Sequence, residues 1–147
     1  MIKSASAIGL ALFLTSSLGS AAEIPAVLPA PTCLTPDGQP LPEAKDPIQI
    51  TALSAAERPV PVSTPRPRWS RKALDCQPQG KVWVQMLITT KGEVCAAGLF
   101  QQLPPSCDKV GTDAIEAARK WKFRPGQREG SPIAVLYILG FDFKPQG

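Results

Sequence analysis

Residues 111–133 read GTDAIEAARKWKFRPGQREGSPI, and the spacing within them sets the class of fold. Ala114, Ala117, Ala118 and Trp121 recur at i, i+3, i+4 and i+7, a single stripe of an α-helix. Small residues along that stripe let the helix axis lie close to a sheet, and Trp121 closes one end with a large apolar face. Asp113 followed three residues later by Glu116 resembles a capping box and predicts a helix over 112–122. Phe123 then enters an extended segment, because Pro125 turns Arg124 away from helical geometry. Gly126 and the run Glu129-Gly130-Ser131-Pro132 read as turns. A third strand of the sheet is expected from Ile133 to Phe143 (IAVLYILGFDF), apolar but for Gly140 and Asp142.

Upstream of this stretch lies a hairpin. Gly80 to Ile88 is rich in β-branched and aromatic residues, Lys91-Gly92 supplies a tight turn, and Glu93 to Gln101 returns as the second strand. Val82, Val84, Met86 and Ile88 alternate onto one face, assigned to the helix side. Trp83, Gln85 and Leu87 share the other, expected to be only partly covered. The strand directions place the third strand beside the first. The fold class is therefore α+β: a three-stranded antiparallel sheet in the order 2-1-3, packed on one helix in the chain order ββαβ. The third strand becomes a long apolar edge with little to blunt it.

The same residues carry a resemblance. An Ala-rich helix, then Trp121-Lys122-Phe123-Arg124-Pro125, then Gly130-Ser131-Pro132-Ile133, resembles the C-terminal domain of the TonB energy-transducer family. The likeness extends over roughly Pro65 to Phe143. Pro65 to Ala73 (PRPRWSRKA) is similar to the segment that opens the family's domain, with Trp69 at its aromatic position. Ser70 there is placed to cap a short helical turn at Lys72 or Ala73. The resemblance implies a longer helix, beginning near Val110-Gly111 with Asp108 available as its cap. It also implies binding of the N-terminal peptide of an outer-membrane receptor near the last strand. Carried over by position, the peptide-binding residues are Val135, Tyr137 and Leu139 on the edge, with Arg68 and Trp69 beside them. On this reading a proline at Tyr137 removes an edge amide.

The N-terminal part reads differently. Lys3, the short apolar core Ile8 to Leu14 and Ser20-Ala21-Ala22 read as a secretory signal peptide, residues 1–22, cleaved after about Ala22, in preference to an uncleaved membrane anchor. Residues 23–67 contain eleven prolines, a density that deprives any core of backbone donors. We therefore divide the mature chain into a Pro-rich extended arm, residues 23–63, and a TonB C-terminal-like domain, residues 64–147. Fully extended, the arm would reach ~130 Å at ~3.1 Å per residue. Pro47 to Thr51 (PIQIT) is its one strand-like piece. Export places the protein in the periplasm, where an even set of four cysteines implies two disulfides. Three pairings are open. Cys76 before the first strand and Cys107 after the second both lie at the open end of the hairpin, which favours joining them and leaves Cys33 with Cys95. If Cys33 is bridged to the domain, the arm folds back.

Charge is uneven. Residues 23–67 hold Lys45, Arg58 and Arg66 against Glu23, Asp37, Glu43, Asp46 and Glu57, a net of −2. Residues 68–147 hold twelve Lys or Arg against seven Asp or Glu, a net of +5, densest at Arg119, Lys120, Lys122, Arg124 and Arg128. In an exported protein such a basic face suits an acidic peptide or plain solubility, not nucleic acid. The chain has no histidine, so Ser-His and Cys-His nucleophile systems cannot be assembled and no metal or cofactor site is indicated. A binding module is expected, not an enzyme. The alternative is a disulfide-stapled structural protein of the cell envelope, without a role in energy transduction, whose edge is covered by its own arm or pairs with a second copy as a homodimer.

Overall fold

A computed structural model describes residues 27–76 and 80–143; the expected signal peptide lies outside them. The elements follow in the order β1 (Ile48–Gln49), β2 (Val60–Ser63), α1 (Arg71–Cys76), β3 (Lys81–Ile88), β4 (Val94–Leu99), α2 (Asp108–Arg119), β5 (Lys122–Arg124), β6 (Gly126–Arg128), β7 (Ser131–Ile133) and β8 (Val135–Asp142). Short 3-10 turns stand at Pro42–Ala44, Ile50–Ala52 and Pro105–Cys107. The fold is α+β, with one mixed sheet and one main helix.

That sheet has four strands rather than the three expected, in the order β1-β8-β3-β4. β8 pairs antiparallel with β3 along its whole length, from Val135 opposite Ile88 to Asp142 opposite Lys81. On its other side β1 pairs in parallel with two residues only, Ile48 against Val135 and Gln49 against Leu136. The extra strand comes from the Pro-rich arm, at the piece whose Ile-Gln-Ile alternation marked it. β2, which carries no such pattern in its Val-Pro-Val-Ser sequence, pairs with β5. The apolar run expected as one strand from Ile133 breaks at Ala134, because Ser131–Ile133 turns back on Gly126–Arg128 instead. Glu129 and Gly130, at φ 53° and 78°, make the tight reversal between them.

The helix-side face is the main core. Val82, Val84, Met86 and Ile88 are essentially inaccessible, as are Ala114 and Ala118 of α2. Each buried aliphatic side chain of this size contributes about 1.5–3 kcal/mol. α2 begins at Asp108 and ends at Arg119, one turn earlier at its start than 112–122. The Cys76–Cys107 disulfide, with Cα atoms 5.3 Å apart, fixes the chain at the helix entrance. Asp113 therefore does not cap its own helix. Its Oδ2 accepts the Ser70 amide at 2.7 Å and so caps α1, while Ser70 Oγ accepts the Ala73 amide at 3.3 Å. Trp121 lies just past the helix, whose last turn tightens as the Lys120 and Trp121 amides reach Ala117 and Ala118 carbonyls. The ring still enters the core, edge-on to Phe141 at 5.7 Å.

The opposite face is covered over Gln85 and Leu87 and open at Trp83, the partial cover expected. Cys33, Ala44 and Leu87 form a second small core, joined by Leu41 and Ala96. The arm does not extend away. Cys33 is bridged to Cys95, and Val27 bridges Gln101. Six residues separate the two anchor points on each segment, so 27–33 runs antiparallel to 95–101. Gln85, 2% exposed, fastens it by donating from Nε2 to the carbonyls of Leu28, Pro29 and Leu99 at 3.1, 2.8 and 3.1 Å. Further along, Glu43 pairs with Lys91 at the hairpin turn, at 2.6 Å. Glu57 pairs with Arg128 at 3.3 Å, and the Ser54 amide and hydroxyl, with that guanidinium, hold the Glu57 carboxyl below the usual range.

Candidate functional site

A strand's main-chain groups alternate sides as its side chains alternate faces. Two hydrogen bonds fix the phase here. The Ile48 amide donates to the Ala134 carbonyl at 3.0 Å, and the Phe100 amide to the Trp83 carbonyl at 2.8 Å. Ala134 therefore faces outward, and so do the main-chain groups of Leu136, Ile138, Gly140 and Asp142. Those of Val135, Tyr137, Leu139 and Phe141 point into the ladder with β3. Among the described residues, no strand lies beside β8 beyond Leu136 on its outer side.

This phase corrects the reading of Tyr137. Its amide belongs to the β3 ladder, so a proline there would break the sheet and not the edge. Its ring packs tilted against Phe123 at a centroid distance of 5.3 Å on the helix side. Val135 is wholly buried, and its stretch of edge is occupied by β1. Both remain next to the open rim but offer it nothing directly.

Beyond Leu136 the rim borders a groove of about 350 Å³, walled by Thr64, Arg66, Pro67 and Trp69 on one side and Leu139, Gly140, Phe141 and Asp142 on the other. Trp121 contributes to its lining, and its Nε1 donates to the Pro65 carbonyl at 3.0 Å, which holds the wall in place. Trp69 is half-buried and packs on Phe143 at 4.9 Å. Of the five residues expected at the site, Trp69 and Leu139 line the groove. Arg68 is exposed but outside it, with Arg66 in its place. Sequence reasoning missed Ile138, Gly140 and Asp142, whose main-chain groups face outward. Their phase depends on the register with β3, which no local pattern carries.

No group of three or more His, Cys, Asp or Glu residues suited to a metal occurs among the described residues. None of the described helices is long and apolar enough to cross a membrane. Arg119, Lys120, Lys122 and Arg124 are exposed near the helix end, and none of them is in an ion pair among the described residues.

A family model described as the Gram-negative bacterial TonB protein C-terminal matches residues 65–145, more than half of the chain. Among solved structures, the solution NMR structure of the Pseudomonas aeruginosa TonB CTD is similar at a TM-score of 0.44 and 19% identity, over 67% of this chain and 96% of that one. No curated protein matches the sequence. The family match starts at Pro65, so Cys33, β1 and β2 stand outside it.

Proposed function

Because this chain belongs to the TonB C-terminal domain family over residues 65–145, we propose that it binds extended N-terminal segments of outer-membrane TonB-dependent transport receptors, adding them as a strand to the open rim of β8. The family is periplasmic and in general interacts with outer-membrane receptors; cleavage of the leader after about Ala22 would release this member into that compartment. The observation that carries the reading is the phase of β8. The amides and carbonyls of Ile138, Gly140 and Asp142 face outward, Gly140 and Asp142 beside the groove, where a visiting backbone would satisfy them. Trp69 and Leu139 supply apolar wall, while Arg66 and the basic residues after α2 favour an acidic visitor. The protein acts on this reading as a binding module, without a catalytic step.

The structural alternative is less well supported. Cys33 fastens the arm to β4, on the rim remote from β8, and only Ile48–Gln49 reach the candidate edge. The test is a titration of isotope-labelled protein with receptor N-terminal peptides. Amide signals of Ile138, Gly140 and Asp142 are expected to shift. Ile138→Pro, which deletes an outward amide, should abolish binding and leave the fold intact, whereas Tyr137→Pro should unfold the sheet. Peptide binding that survives Ile138→Pro undiminished would refute edge addition. Shifts that depend on protein concentration alone would point to pairing between two copies.

A further inference from the structure

The rim changes character at Gly140. Across the ladder it faces Trp83 of β3, and a Cβ built at Gly140 would lie 3.3 Å from Cε3 and Cζ3 of that indole and 2.9 Å from Lys81 Cδ. The ring therefore extends over the glycine toward the open side of the sheet. At 37% exposure, Trp83 is the one exposed large apolar residue among the described residues of the four-stranded sheet. The arm covers Leu87 on the same face and leaves the indole open. Lys81 and Asp142, paired at 3.2 Å, lie at the end of the same face.

Resting on the edge reading above, we infer that Trp83 is a specificity-determining contact that selects peptides carrying an aromatic side chain opposite Gly140. A residue paired with Gly140 points to the same face as Gly140 and Trp83. Adjacent strands lie ~4.8 Å apart, so β3 and a strand beyond β8 stand roughly 9.6 Å apart. A side chain at residue 140 would ordinarily fill that interval. Here it is empty but for the leaning indole, and aromatic pairs interact at centroid separations of roughly 4.5–7 Å. An aromatic ring leaning back from the visitor closes this distance, whereas alanine or valine falls short. The glycine and the tryptophan thus act together: one clears the lane and the other occupies half of it.

The test uses the full chain with both disulfides intact and a positional-scanning library of end-blocked hexapeptides. Wild type should show one position with an aromatic preference, and the Trp83 indole signal, assigned by its loss in Trp83→Phe, should move with those peptides. Trp83→Ala should flatten the preference and weaken aromatic peptides roughly tenfold, while Trp83→Phe retains it. Gly140→Ala places a methyl between the rings and should weaken the same peptides, which carries the test should Trp83→Ala fold poorly. An unchanged preference in both Trp83→Ala and Gly140→Ala, with Ile138 and Asp142 amides still shifting, would overturn the role of Trp83 and leave edge binding standing. A library from which nothing binds wild type would overturn both.

Discussion

Asp113 shows how one carboxylate serves an element other than its own. Placed mid-helix in α2, it accepts the amide of Ser70 at 2.7 Å, and Ser70 in turn caps α1 through its hydroxyl. α1 has only six residues, too few to persist without such help. Asp113→Ala is expected to cost about 1–2 kcal/mol, seen as a lower midpoint in chemical denaturation, and Asp113→Asn less. The i, i+3 pair with Glu116 looked like a local cap because sequence spacing registers only local partners; the true partner lies 43 positions away. Gly92 is a converse case, legible as a turn glycine from Lys91-Gly92 alone. Its φ of 82° favours glycine, and a Cβ would also run into the backbone carbonyl of Phe123. The second constraint arises from docking of the hairpin on β5, where the Phe123 amide donates to the Gly92 carbonyl at 2.9 Å.

Among elements, the hairpin β3–β4 and the face assignment of β3 were readable because alternation over eight residues is a strong signal. α2 was readable from its alanine stripe, but its limits were not, since the disulfide at Cys107 and the tightened turn at Lys120 set them. The arm was the least legible element. Proline density argued against a core of its own, yet it said nothing of packing against a core already made. Gln85 is the clue in retrospect: a polar residue within an apolar strand calls for carbonyls to bond, and the arm supplies two. Gln85→Leu should loosen residues 27–32, with Cys33 still tied to Cys95, without melting the sheet. Hydrogen exchange would read this as a rise of about tenfold or more at the Leu28 amide, which donates to the Phe100 carbonyl at 3.0 Å, with protection at Val84 unchanged.

For the whole molecule, the two disulfides divide the work. Cys76–Cys107 closes a separation of 31 residues inside the family domain, and Cys33–Cys95 closes 62, joining the arm to that domain. In the chain-entropy account each restricts the unfolded chain by about 4 kcal/mol. Replacing Cys33 and Cys95 together by serine should therefore lower stability by up to about 4 kcal/mol. Because the arm contacts β4 and β8 at separate points, exchange at the Leu28 and Leu41 amides should rise before that of β3. Removing Cys76 and Cys107 should instead loosen α1 against α2 and lower protection throughout the helix layer.

The Cys33–Cys95 bond also determines how a pull would travel. Tension applied to the chain ahead of Val27 reaches Cys33 and crosses the sulfur bond into β4, bypassing the 34–94 loop. From there the covalent path to β8 runs through β4 and α2, alongside the hydrogen bonds that tie β4 to β3 and β3 to β8. A tug from the amino end would therefore load the sheet without first drawing out β1 and β2.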